Sequence, residues 1–142
     1  MLDLTSNLQR SAQLVTLYLG KFRRDYGITQ PEAHVLAVLH VRGEITIRNL
    51  HHTLGHKPST LTSILDRLVA RGFITRETSR TDRRSFNVKL TLAGTIPAKA
   101  IRTALHALEN KIIRRSVRAD IRGIRRIAST LEELVVDTGR AE

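Results

Sequence analysis

Apolar residues recur every three to four positions along the first 26 residues of the chain. From Leu4 through Val15 to Tyr26, this spacing puts them on one side of a helix. The pattern therefore predicts one long amphipathic helix. Gly27 is expected to end it, because glycine readily takes the left-handed conformation found just after a helix C-terminus.

Capping residues predict where the next two helices begin. Thr29 offers an N-cap and Glu32, three residues later, completes a capping box, so a second helix should run to about His40. Residues 44–45 are expected to form a short edge strand. Thr46 then offers the N-cap of a third helix.

Residues 58–91 change from a helical to a strand pattern. Pro58 suits the first position of a fourth helix. The apolar stripe of this helix consists of Leu61, Ile64, Leu65 and Leu68. Residues 73–76 and 86–90 then alternate between apolar and polar side chains, with turn residues between them, which predicts a β-hairpin.

Two further helices are predicted after the hairpin. Thr91 caps the first of them, and Pro97 is expected to kink it near its second turn. The second should run from Ser116 or Ala119 to Val136. Their inward faces are predicted to carry Ile101, Leu105, Leu108 and Ile112 in the first helix and Ile121, Ile124, Ile127, Leu131 and Leu134 in the second.

Charge and composition narrow the possible functions. The chain has 142 residues, 41% of them hydrophobic, and a formal net charge of +11. Residues 41–91 alone have a net charge of +6, which favours a polyanionic partner for the region that holds the hairpin. The absence of cysteine excludes disulfides and thiol chemistry. We find no signal peptide and no apolar run of about 18 residues, so we expect a cytoplasmic protein that does not span a membrane.

The exposed face of the fourth helix has the chemistry of a DNA-reading surface. Ser59 or Thr60, Ser63 and Arg67 follow one another at helical spacing, opposite the apolar stripe. Short hydroxyl side chains permit close approach to base edges, and arginine can form two hydrogen bonds to guanine. Taken alone, these residues would fit an ordinary solvated helix face equally well.

The predicted hairpin tip is rich in arginine. Arg80, Arg83 and Arg84 surround Asp82, and arginine is favoured in a narrow DNA minor groove. A surface salt bridge at a soluble turn is the alternative for an isolated hairpin. The adjoining helix makes DNA contact the better interpretation.

The order and spacing of these motifs resemble the MarR family of bacterial winged-helix transcription regulators. The resemblance is sharpest in Leu61–Leu68, Arg71–Arg76, Thr81–Arg84 and Val88–Thr91, followed by Gly94. It implies a homodimer that binds double-stranded DNA, with the fourth helix in the major groove and the wing in the minor groove. It also implies repression relieved by a small anionic or phenolic effector of unknown identity.

The resemblance assigns DNA-binding roles by position. The residues expected to contact DNA are Ser59, Thr60, Thr62, Ser63, Arg67, Asp82, Arg83 and Arg84. Asp82 would orient the Arg84 guanidinium, and Arg83 would neutralise phosphate. His51 stands where the family usually has a small alanine, and the lack of cysteine excludes the family's peroxide-sensing mechanism.

Other chemistries are disfavoured. The six histidines lack a recognisable metal-ligand pattern, so no metal or cofactor is expected. No phosphate loop, nucleophile elbow or paired carboxylates are present, so we do not expect an enzyme. Asp66 and Asp82 are interpreted as ion-pair partners of Arg67 and Arg84. The basic stripe from Lys111 to Arg126 is best interpreted as a solvated face, with contact to DNA flanks or an anion as the alternative.

The elements together predict a mainly α fold with a small β-wing. One domain, residues 1–142, would contain a winged helix-turn-helix lobe at 28–91 and dimerisation helices at 1–27 and 92–142. A symmetric dimer would place two recognition helices about one DNA turn apart. Two rival functions remain: a non-specific architectural DNA-binding protein and a winged-helix module that binds protein or RNA.

Overall fold

The structure is a computed structural model that describes residues 3–139 of the chain. Within these residues the chain forms seven helices and three strands. In chain order they are α1 Leu4–Tyr18, α2 Gly20–Tyr26, α3 Gln30–Arg42, β1 Ile45–Thr46, α4 Ile47–Leu54, α5 Pro58–Ala70, β2 Ile74–Thr78, β3 Phe86–Leu90, α6 Leu92–Arg114 and α7 Arg118–Gly139. The predicted mainly α fold with a small β-wing is confirmed.

The N-terminal helix is interrupted, so the prediction of one continuous helix is wrong. α1 ends before Leu19 and α2 begins at Gly20. The break allows Leu19 and Phe22, each 3% exposed, to enter the core, whereas no described residue of α1 is buried. Gly27 ends α2 in the left-handed conformation with φ 66°, as predicted.

The caps of the next helices follow the sequence signals. The Thr29 N–H donates to Glu32 Oε2 over 3.1 Å, which is the predicted capping-box contact at the start of α3. Thr46 Oγ1 accepts from the Asn49 N–H over 3.1 Å and caps α4. These contacts satisfy backbone donors that a helix N-terminus otherwise leaves unpaired.

The core lies between α3, α5 and the sheet. α3 is buried along most of its length, and α5 contributes the predicted stripe. The fully buried members of α5 are Leu61, Ile64, Leu65 and Leu68. Ile74 of β2 and Val88 of β3 are likewise almost inaccessible to solvent. This packing fixes one face of α5 against the protein and leaves its other face outward.

The three strands form an antiparallel sheet in the order β1-β3-β2. Ile45 pairs with Val88, while β2 and β3 pair from Ile74 opposite Leu90 to Thr78 opposite Phe86. β2 therefore continues two residues beyond the predicted strand at 73–76. The predicted turn occupies residues 79–85, and β2, this turn and β3 are called the wing below.

α6 begins against the loop between α5 and β2. Thr91 Oγ1 accepts from the Gly94 N–H over 3.0 Å, and the Thr91 N–H donates to the Phe73 carbonyl over 3.0 Å. Thr91 is therefore the predicted cap. The helix continues unbroken through Pro97 to Arg114.

The chain divides into two compact units, one up to Ala104 and one from Leu105 onward. In the second unit, the Val117 N–H donates to Asp120 Oδ2 over 2.9 Å at the start of α7. No side chain of α7 is fully buried among those the structure describes, and of its predicted apolar face only Ile121 and Ile127 are half-buried. Among residues 3–139, no helix has the length and apolarity needed to cross a membrane.

Candidate nucleic-acid interface

The outward face of α5 presents hydroxyl groups near its N-terminus. Its four exposed hydroxyl residues are Ser59, Thr60, Thr62 and Ser63. Thr62 Oγ1 donates to the Pro58 carbonyl over 2.9 Å, and Ser63 Oγ donates to the Ser59 carbonyl over 3.1 Å. Because each hydroxyl proton is used within the helix, the oxygens of Thr62 and Ser63 are left as outward hydrogen-bond acceptors.

Arg67 lies farther along the same helix and is tied to α3. Its Nε donates to Glu32 Oε1 over 2.8 Å, and its side chain is 52% exposed while that of Glu32 is 4% exposed. The predicted pair of Arg67 with Asp66 is wrong, because Asp66 forms its ion pair with Arg76 of β2. Neighbouring residues on a helix point in different directions, which separates Asp66 from Arg67.

The turn of the wing is organised around a buried serine. Ser79 is 3% exposed, and its N–H donates to the Ser85 carbonyl over 2.9 Å. Its Oγ lies 3.1 Å from Thr81 Oγ1 and accepts from the N–H groups of Thr81 and Asp82 over 3.3 and 3.4 Å. These bonds hold the turn in a defined conformation.

Asp82 closes the tip of the wing through the backbone. Its carbonyl accepts from the Ser85 N–H over 2.9 Å, which makes residues 82–85 a β-turn, and its Oδ1 accepts from the Arg84 N–H over 3.0 Å. No ion pair joins Asp82 to the Arg84 guanidinium in the described part of the chain, so that interpretation is corrected. The short aspartate side chain instead fixes the turn, with Arg83 and Arg84 exposed at its two central positions.

An open groove of about 720 Å³ separates the wing from α4 and the start of α5. Arg48, Thr62 and Arg84 line it together with the half-exposed ring of Phe86. Arg48 and Phe86 were not among the residues predicted to contact DNA. Arg48 is the second residue of the capped α4 helix, so the sequence could have predicted an exposed cation there. Its proximity to the wing depends on tertiary packing.

His51 also lines this groove, and its Nε2 is buried with no hydrogen-bond partner among the described residues. On α3, desolvation by surrounding atoms and, secondarily, repulsion from His56 lower the pKa of His34. Among residues 3–139, no group of three or more His, Cys, Asp or Glu side chains is arranged to hold a metal ion.

Comparison with known proteins gives a consistent family match. Residues 28–86 match the model of the MarR family. A relative from Bacillus subtilis (strain 168), the uncharacterized HTH-type transcriptional regulator YfiV, is 36% identical over 64 residues. That alignment covers 45% of this chain and 40% of the relative, so the chain matches less than half of the relative's length.

Solved structures show the same fold. S. aureus MepR in its DNA-binding conformation has a TM-score of 0.81 at 16% identity, over 94% of this chain and 99% of that one. Reduced AbfR bound to DNA has a TM-score of 0.75 at 23% identity, over 93% and 92% of the two chains. The reduced form of MarR from E. coli has a TM-score of 0.69 at 21% identity, over 92% and 97%.

The family match covers α3 to the first residue of β3, which includes α5 and the turn of the wing. The family consists of transcriptional regulators, not enzymes. Residues 28–86 therefore resemble the MarR family of winged helix-turn-helix transcriptional regulators.

Proposed function

We propose that the chain is a transcriptional regulator of the MarR family that binds a pseudo-palindromic DNA site as a homodimer, with α5 in the major groove and the wing in the adjacent minor groove. The observation that carries the proposal is the conjunction of two exposed features in one compact unit. These are the hydroxyl face of α5 and the arginine-tipped turn of residues 82–85.

The chemistry of α5 suits recognition of base edges. Ser59, Thr60, Thr62 and Ser63 are short enough for the helix to approach the groove floor. The acceptor oxygens of Thr62 and Ser63 match the amino groups of adenine and cytosine. Arg67 adds donors suited to guanine or phosphate. The buried stripe of α5 anchors the helix, so this face has one fixed orientation.

The wing suits the phosphate-lined edges of the minor groove. Arg83 and Arg84 are held at the centre of a turn that Asp82 and Ser79 brace through the backbone, which limits the freedom they would lose on binding. Arginine is favoured there because the guanidinium ion is weakly hydrated. In this proposal Asp82 fixes the conformation of the turn and makes at most a weak contact with DNA.

Homodimerisation is proposed from exposed apolar surface in each unit. On α7, Leu134 is 56% and Val135 is 68% exposed, and Ile124 and Leu131 are also exposed. On α1, Leu4 and Leu14 are exposed in the same way. Large apolar side chains that recur exposed along a helix favour an interaction site. A second copy of the chain would cover it, consistent with dimerisation helices at 1–27 and 92–142.

We further propose that the regulator is a repressor whose DNA affinity responds to a small-molecule effector. A groove of about 550 Å³ lies beside α1, α2 and the start of α3. Leu17, Ile28 and Pro31 give it an apolar wall, and Arg23 and Arg24 supply positive charge. This combination suits a small carboxylate with an apolar body. Titration of benzoate into the DNA complex tests this class of effector, and release of DNA is expected.

The decisive variant for the wing is Arg84→Ala. It should weaken specific binding by about 1–3 kcal/mol. The matched control Arg42→Ala removes the same charge from the exposed last turn of α3, outside the surfaces proposed for DNA binding and dimerisation, and should change specific binding little. Fluorescence anisotropy with a selected duplex and a random duplex measures both. Equal losses for the two variants, or none for either, would reject the role of the wing and favour a non-specific architectural function.

A further inference from the structure

The buried carboxylate of Glu32 contacts two separate parts of the lobe. Its Oε2 accepts from the Thr29 N–H over 3.1 Å at the start of α3. Its Oε1 accepts from Arg67 Nε over 2.8 Å on α5, 35 residues farther along the chain. The Glu32 side chain is only 4% exposed. A carboxylate so removed from water requires a donor for each oxygen, and both oxygens have one.

The same contact leaves most of the Arg67 guanidinium unused. Arginine has five N–H donors in a rigid planar fork. Glu32 occupies the Nε donor, and the four η N–H groups have no hydrogen-bond partner among the residues that the structure describes. The hydrogen bond from Nε to Glu32 restricts the orientation of the guanidinium plane. Arg67 lies four residues after Ser63 and seven after Thr60, so it continues the exposed hydroxyl face of α5.

A second arginine links α5 to another part of the lobe. Arg71, one helical turn later, donates from its η nitrogens to the carbonyls of Tyr26 and Gly27. Its guanidinium also lies 4.8 Å from the centre of the Phe73 ring. Arg71 thus uses its η N–H groups to join α5 to the end of α2, whereas the η N–H groups of Arg67 remain available to a ligand.

We propose that Glu32 is a positioning residue for DNA recognition. It holds the Arg67 guanidinium in one orientation, with the η edge free for two hydrogen bonds to a base edge or a phosphate. A bidentate contact requires that orientation, and an arginine fixed beforehand loses less rotamer freedom on binding. This inference rests on the proposed DNA-binding role of α5.

The test is a double-mutant cycle between Glu32→Gln and Arg67→Ala, read by anisotropy on the selected duplex and on random duplex. Glu32→Gln should lower specific affinity by roughly three- to tenfold, the range expected when an immobilised side chain is released. It should leave random-duplex affinity unchanged. In the Arg67→Ala background, Glu32→Gln should have no further effect. Asp25→Asn, which makes the same change in net charge at an exposed position, should match the wild type.

The cycle separates positioning from a structural role. If Glu32→Gln weakens binding equally with and without Arg67, it acts through the fold and the inference is overturned. If Glu32→Gln has no effect while Arg67→Ala weakens specific binding, DNA recognition by Arg67 stands and positioning by Glu32 fails. Wild-type protein that prefers no sequence would reject the proposed function itself.

A measurement on the unmodified protein covers the case in which Glu32→Gln does not fold. The heteronuclear NOE of the Arg67 Nε–H group, recorded without DNA, reports whether that group is already fixed. A value as high as that of backbone amides in α5 is expected. A low value, typical of a solvated arginine, would contradict the inference.

Discussion

Gly94 provides the sharpest test of how the wing and α5 are joined to α6. A Cβ atom built at this position would lie 1.9 Å from the carbonyl oxygen of Phe73 and 2.7 Å from its carbonyl carbon. Both neighbours are backbone atoms, so no side-chain rotation relieves the contact. Gly94→Ala therefore forces the start of α6 away from the loop between α5 and β2.

The expected destabilisation follows from three contributions. The backbones must separate by about 1.5 Å to reach ordinary contact near 3.4 Å. Overpacking of this kind costs about 1–3 kcal/mol. Losing the hydrogen bond from Thr91 to the Phe73 carbonyl costs about 0.5–1.5 kcal/mol more. Alanine in place of glycine in a helix returns about 0.5–1 kcal/mol, so the net loss is about 2 kcal/mol, between limits of about 0.5 and about 4 kcal/mol.

Urea unfolding followed by circular dichroism at a fixed protein concentration measures this change. The matched control is Gly123→Ala in α7, where a Cβ would meet no atom of the chain within 4 Å. That variant should raise stability by about 0.5–1 kcal/mol. A Gly94→Ala protein as stable as the wild type would refute the close approach of α6 to Phe73.

Three further predictions address the pH response, the wing and the dimer. Because the pKa of His34 is lowered, the unfolded chain takes up the proton first as the pH falls below about 6.5. Stability should therefore fall from about pH 7 towards pH 5, and His34→Gln should flatten this dependence in denaturant midpoints; an unchanged slope would count against it. Ser79→Ala should cost about 1 kcal/mol by removing the acceptor of two turn N–H groups, and amide exchange at Thr81 and Asp82 that is no faster than in the wild type would contradict it. Leu131→Glu should shift the protein towards monomer in analytical ultracentrifugation, and an unaltered dimer would exclude Leu131 from the interface.

Local signals predicted the elements that build the candidate interface. The apolar stripe of α5, Pro58 at its first position and the turn residues before Phe86 act within a few residues of one another, so the sequence contains what is needed to interpret them. The prediction of the Thr29–Glu32 cap was confirmed for the same reason, since the two residues are three positions apart.

Features that depend on tertiary packing were not predictable from those signals. The break at Leu19 lets Leu19 and Phe22 enter the core, and periodicity alone does not show where the core lies. The partners of Arg67 and Asp66 were wrongly assigned to their neighbours in sequence. Their actual partners, Glu32 and Arg76, are brought close by the packing of α5 on α3 and β2.

The most direct test of sequence-specific DNA binding is the selection of bound fragments from random duplex DNA, followed by anisotropy titration at about 150 mM salt. The proposed function predicts an inverted repeat with half-sites about one helical turn apart, bound at least about a thousandfold more tightly than random duplex. Tight binding without preference among sequences would contradict it.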